Sequence, residues 1–198
     1  MNTVQSIAPT TEIDAVNIML GTIGESPVSS LAGDQSMVDV ALARQVLREV
    51  ATQVQEEGWH FNTEIRWPLQ PTADTKEILL PANCIQVDTS GYDASLDVVA
   101  RGNRLYDRLK RSYEFDRTVT VDMVVLLEFP LIPQAGRHYI AIRAARVFQQ
   151  RMVGSETLAH FTERDELRAR AALRKLDANT ADYNILTGSW SVARVLAR

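Results

Sequence analysis

Apolar residues recur at two different periods along this chain, and the change of period marks its organisation. In the first third they fall three and four positions apart. Ile13, Val16, Met19 and Leu20 share one face of a helix predicted over 12–20. Gly21, Gly24 and Pro27 follow as a glycine stop and a proline breaker. A second helix starts near Asp34 or Ser36, either of which can cap free backbone amides. It runs to about Glu57, where Gly58 ends it. Ala43, Val46, Leu47, Val50 and Val54 form its core stripe, with Arg44, Arg48, Gln55 and Glu56 off it.

The middle third shortens its period to two. Trp59 to Pro68 carries aromatic and β-branched residues, and Pro68 and Pro71 interrupt it. Glu77–Leu80 and Ile85–Asp88 are short strand candidates on either side of Pro81. Leu96–Arg101 and Arg104–Asp107 flank Gly102-Asn103, a two-residue loop suited to a tight hairpin because both residues tolerate positive φ. Val119 to Phe129 is the clearest strand, with Val119, Val121, Met123, Val125, Leu127 and Phe129 on one face. Connections this short predict antiparallel pairing.

The last third returns to the helical period. Pro130 and Pro133 close the strand, and a helix over 134–152 presents Ala141, Ala144, Ala145, Phe148 and Met152 as its packed face. Gly154 breaks it, Ser155 caps the next, and a long helix runs over 156–182. The fold class is α+β: a bundle of about four helices with a mainly antiparallel β-sheet inserted between the two helix pairs. The whole chain, 1–198, reads as one unit, with a helical bundle from 12–57 and 134–182, a β-rich insert over 64–129 and a C-terminal tail over 183–198.

Composition narrows the class without naming a chemistry. The 198 residues are 45% apolar and 23% charged, with 21 Lys+Arg against 25 Asp+Glu and a net charge of −4. A chain of this size buries roughly 70% of its unfolded surface. Its longest apolar run, five residues at Met123–Leu127, falls far short of the ~20 that cross a bilayer. Residues 1–14 lack the basic and apolar regions of a signal peptide. Cys84 has no cysteine partner, and a metal site would have to gather His60, His138 and His160 from three elements. Gly21 to Ser26 lacks the Gly-Lys pair of a phosphate loop, and no HExxH, CxxC or GxSxG is present. No catalytic residue, cofactor or metal is predicted.

Two weaker constellations remain. Asp88, Asp93 and Asp97 lie close enough in sequence to supply paired carboxylates for glycoside hydrolysis, and Trp59, Phe61 and Trp67 would line a sugar groove. Solvated loop acids and a packed aromatic cluster are the plainer account of both. Arg101, Arg104, Arg108, Lys110 and Arg111 form a basic patch with Asp107 as its one acid, a candidate DNA contact in an otherwise acidic chain.

One further signal comes from runs of residues in order. Ala15-Val-Asn-Ile-Met-Leu-Gly-Thr-Ile-Gly-Glu-Ser-Pro-Val-Ser-Ser-Leu-Ala-Gly-Asp34, Glu57-Gly-Trp-His-Phe-Asn62, Val99-Ala-Arg-Gly-Asn-Arg-Leu-Tyr-Asp-Arg108 and Ala181-Asp-Tyr-Asn-Ile-Leu186 together resemble the tail tubular protein A family, the head–tail adaptors of T7-like short-tailed bacteriophages. The resemblance spans essentially the whole chain. It implies a structural virion protein: a dodecameric ring between the portal and the tail nozzle (tail tubular protein B), with genomic DNA passing through its centre and no membrane insertion. It also implies assembly in the bacterial cytoplasm and a final place in the virion tail at the portal vertex. The way such connectors meet the portal makes the tail a docking segment, with Trp190 as anchor, Val192, Val195 and Leu196 beside it, and Arg194 and Arg198 pairing with portal carboxylates. A polysaccharide hydrolase using Asp88, Asp93 and Asp97, and a DNA-binding packaging factor using the basic patch, are the alternatives.

Overall fold

The computed structural model describes residues 9–31, 38–154 and 156–180. Its order is α+β. Helices α1 (Glu12–Thr22) and α2 (Val38–Gln55) come first. Strands β1 (Thr63–Leu69), β2 (Cys84–Thr89), β3 (Val98–Arg101), β4 (Arg104–Asp107) and β5 (Val119–Val125) follow, then helices α3 (Gln134–Met152) and α4 (Glu156–Thr180). The chain divides into two compact units, one of residues 1–51 with 129–198 and the other of residues 52–128.

In the first unit α1 starts at a reciprocal cap. The Asp14 amide donates to Thr11 Oγ1 at 3.2 Å while the Thr11 amide donates to Asp14 Oδ2 at 2.9 Å. The Thr11 hydroxyl, donating to Asp14 Oδ2 at 2.6 Å, and then the Thr11 amide hold the Asp14 carboxyl below the usual carboxylate range. The helix passes through Gly21 to Thr22, so the stop lies at Gly24, which takes φ +84°. Ala15, Val16, Met19 and Leu20 are buried and α1 packs on α3. Tyr139, Ile140, Ala141, Ala144, Ala145 and Phe148 are the buried residues that α3 supplies in return. Met152, predicted on that face, is 40% exposed because it sits in the last turn. Ion pairs tie α2 to its neighbours: Arg44 to Glu12 of α1 at 3.4 Å, and Arg151 of α3 to both carboxylate oxygens of Glu49 at 2.8 Å. The capping candidates Asp34 and Ser36 lie outside the described residues, as do Ser155 and 181–182.

The second unit holds a three-stranded antiparallel sheet in the order β1-β5-β2 and a separate β3-β4 hairpin. Alternation governs β5: Val119, Val121, Met123 and Val125 are buried, and Thr120, Asp122 and Val124 half-buried. With Leu69, Ile78, Leu80, Val98, Leu105 and Phe115 they make one core. The strand stops at Val125, short of the predicted Phe129, which lies in a 3-10 turn. Glu77–Leu80 forms isolated bridges to Glu114 and Arg104 rather than a strand. Pro68 sits inside β1, which tolerates it as an edge strand.

Both neighbours of β5 are bulged. Ile65 and Arg66 of β1 stand opposite the single residue Asp122, whose Oδ1 accepts the Arg66 amide at 2.7 Å. Arg66 takes φ +56° to make that bend. A second register shift falls between Cys84 and Gln86 of β2. A bulge and a proline together blunt the β1 edge against pairing with another strand.

Candidate functional site

The β3-β4 hairpin carries the basic patch, and its register explains the arrangement. Arg101 pairs directly with Arg104, and Val99 with Tyr106, so these four side chains share one face while Val98 and Leu105 turn into the core. Two arginines opposite each other repel. The repulsion is relieved by what each meets. Arg101 lies over the Tyr106 ring at 3.7 Å, its diagonal neighbour, and Arg104 lies over Tyr113 at 4.3 Å. The two tyrosine rings meet edge-on at 4.9 Å. Arg104 also bonds Glu77 at 2.7 Å. Gly102, at φ +64°, supplies the left-handed residue of the two-residue loop.

The following turn is fixed by a buried acid. Asp107 is 2% exposed, and its Oδ1 accepts the amides of Leu109 and Lys110 at 2.9 Å each. Its backbone exchanges bonds with Ser112, and Arg111 takes φ +55° within the turn. Arg108 leaves the patch to pair with Asp97 at 3.2 Å. Lys110 and Arg111 stay exposed. Of the five predicted basic residues, the structure therefore commits Arg104 and Arg108 to carboxylates and stacks Arg101 on a tyrosine. The sequence reading of the patch includes Asp107 only as its one acid and does not include Tyr106 or Tyr113. Tyr106 was legible by the diagonal spacing from Arg101 across a two-residue loop.

Of the three candidate acids, Asp93 stands apart while Asp88 and Asp97 line one depression. Asp93 is 2% exposed and pins the turn over Gly91–Asp93 to the start of β5: its Oδ2 accepts the Thr120 amide at 2.8 Å and its Oδ1 meets Arg117 at 2.5 Å. The Thr120 amide foremost, with Arg117, holds this carboxyl below the usual range. A proton donor needs a raised pKa, so Asp93 has the opposite bias and works as a structural anion. Asp88 and Asp97 line an open depression of about 490 Å³ with Asp122, which pairs directly with Asp88 across β2 and β5.

The remaining candidates are dispersed. Trp59 is buried with its indole N–H on the Val54 carbonyl at 2.6 Å, Phe61 is half-buried, and Trp67 is 48% exposed, so no common aromatic groove forms. His60 and His138 are exposed in different units, and the His160 side chain lies outside what is described. Cys84 is half-buried in β2, and burial pushes its thiol up. Among the described residues no three His, Cys, Asp or Glu gather as a metal site, and no helix is long and apolar enough to cross a membrane. Trp190, Val192, Arg194, Val195, Leu196 and Arg198 lie outside the described residues.

Comparison with known proteins shows the family. The sequence profile of the tail tubular proteins matches residues 13–183, running from α1 through both sheets and beyond α4. The chain belongs to the tail tubular protein family. It is similar to tail tubular protein A of Klebsiella phage KP34, at 29% identity over 165 residues, 83% of this chain and 86% of that protein. Membership makes it a structural component of a bacteriophage tail, located in the virion. The family's span covers both compact units, so the hairpin patch and the helical unit are parts of one tail protein.

Proposed function

We propose that this tail protein is the head–tail adaptor: copies of the chain close into a dodecameric ring that joins the portal to the tail nozzle and surrounds the path of the ejected DNA. The observation that carries the reading is the family match over both units, helical and β-rich. A closed ring needs two different complementary surfaces on each copy, and a protein with one unit of helices and one of sheets has them to offer.

Charge distribution favours DNA in transit over DNA held. Residues 52–128 carry 13 Asp and Glu against eight Lys and Arg, a net of −5, whereas the remaining residues carry 12 acids and 13 bases, a net of +1. An acidic surface along a channel repels phosphates and lets the duplex slide. In this reading the five basic residues over 101–111 serve contacts with protein, since Arg104 and Arg108 already hold carboxylates.

The C-terminal segment docks the ring to the portal, with Trp190 buried between portal subunits and Arg194 and Arg198 on portal carboxylates. Deleting residues 187–198 tests this. Co-sedimentation with the portal is lost while the melting temperature of the subunit stays within a degree or two. A truncated chain that still caps the portal overturns the docking role.

A further inference from the structure

The turn after β4 is fixed more firmly than an exposed loop requires. Asp107 and Ser112 bridge its stem, and residues 108–111 project between them. Asp107, 2% exposed, sets the near side by accepting the Leu109 and Lys110 amides at 2.9 Å each. Arg111 closes the far side at φ +55°, a conformation that glycine takes freely and arginine adopts only at a cost. What this scaffold holds out is Leu109. It is 72% exposed, more than any other Leu, Ile, Val or Met among the described residues. Arg108, Lys110 and Arg111 flank it in sequence and are exposed as well.

A single exposed leucine is commonplace. A leucine set among bases on a rigid turn has the layout of an interface, an apolar centre with a charged rim. The basic strip continues beyond the loop. Tyr113, next after Ser112, meets Tyr106 edge-on at 4.9 Å, and these two rings carry Arg104 and Arg101. Stacking already orders both arginines, so binding costs them little further freedom. Arg104 and Arg108 are committed to Glu77 and Asp97. Lys76, bonded to Asp116 at 2.7 Å, holds that carboxyl below its usual range, with Lys110 adding a smaller pull. Arg101, Lys110 and Arg111 stay exposed.

The charge of the unit points to what the strip fits. Residues 101–111 carry five bases and one acid, a net of +4. The rest of 52–128 carries 12 acids and three bases, a net of −9. Two such strips repel each other, which disfavours a symmetric strip-to-strip contact. A strip set on the acidic remainder of another copy is attracted, and that contact is head-to-tail, the kind that closes rings. Phosphates would take up the bases but give Leu109 no apolar partner.

We infer that the loop 108–111 is a docking knob for a second copy of this chain. Leu109 is buried at the centre of the contact, against the acidic face of the neighbour's 52–128 unit. Lys110, Arg111 and Arg101 engage that unit's carboxylates around it. The inference names the subunit contact of the proposed ring and rests on that reading.

Zero-length carbodiimide cross-linking tests it, because Lys110 is one of three lysines in the chain. Isotope-labelled and unlabelled full chains are mixed with the portal of the phage and cross-linked. Mixed-label links from Lys110 to acids of 52–128 are expected, and Leu109→Asp removes them. Leu109→Asp and Lys110→Glu each cut ring closure on the portal at least tenfold by negative-stain counting. Both leave the subunit melting temperature within about two degrees of the natural chain, as surface changes do. The absence of any mixed-label link from Lys110 to the 52–128 unit overturns the inference. So do variants that close rings as well as the natural chain, a result that leaves the ring reading standing. A natural chain that seats on the portal without closing a ring overturns both.

Discussion

The side chain of Gln55 closes both backbone hydrogen bonds of Leu127: the Leu127 amide donates to Gln55 Oε1 at 2.7 Å, and Gln55 Nε2 donates to the Leu127 carbonyl at 3.2 Å. A glutamine 2% exposed at the end of α2 thus takes the place of a neighbouring strand. This is why β5 ends at Val125 although its apolar alternation continues to Leu127. Asn62 completes the junction, donating to the Gln55 and Val125 carbonyls at 2.9 and 3.0 Å and accepting the Trp59 amide at 2.9 Å.

Replacing Gln55 by Leu strands two backbone groups at once. Each buried group left unpaired costs about 1–3 kcal/mol, so Gln55→Leu lowers the unfolding free energy by about 2–6 kcal/mol in urea titration. A loss within the roughly 0.5 kcal/mol typical of surface changes contradicts this account of the strand's end.

Asp93 gives the fold an acid-sensitive point. Its folded-state pKa lies below its unfolded value of about 3.9, through the Thr120 amide and Arg117. The stability it contributes is therefore present above that value and drains away as pH falls through it toward the folded pKa. Asp93→Asn lowers the melting temperature at pH 7 and flattens its decline between about pH 5 and 3. Asp88→Asn and Asp97→Asn leave tail assembly intact. The first comparison is a melting curve series in pH; a parallel decline for Asp93→Asn and the natural chain contradicts it.

Two left-handed glycines separate strain from collision. Gly58 takes φ +71°, and a Cβ there would meet Val124 Cγ2 at 3.3 Å, whereas one on Gly102, at φ +64°, would meet nothing within 4 Å. Gly102→Ala therefore costs about 1–2 kcal/mol of backbone strain, and Gly58→Ala costs more by the displacement of Val124. Chemical denaturation of the two variants ranks them. Equal losses contradict the contact at Val124.

Periodicity carried the fold far because burial set it. The stripes of α2 and α3 and the alternation of β5 were legible from apolar spacing alone. The departures have local polar causes that spacing does not encode. Gln55 ends β5 from 72 residues away, an edge position admits Pro68, and the last-turn place of Met152 exposes it. Site residues were less legible. Arg101 and Arg104 were found by charge, but the tyrosine rings beneath them depend on cross-strand register. Asp93 and Asp97 look alike in sequence and differ only in what folds around them: one meets the Thr120 amide and Arg117 in a closed site, the other meets Arg108 near the surface.

The adaptor ring is tested most directly by negative-stain microscopy of the purified chain mixed with the portal of its phage. The account predicts a ring of twelve copies seated coaxially on the portal with an open central channel. Portals that stay bare at saturating protein, or that bind isolated copies without closing a ring, would contradict it.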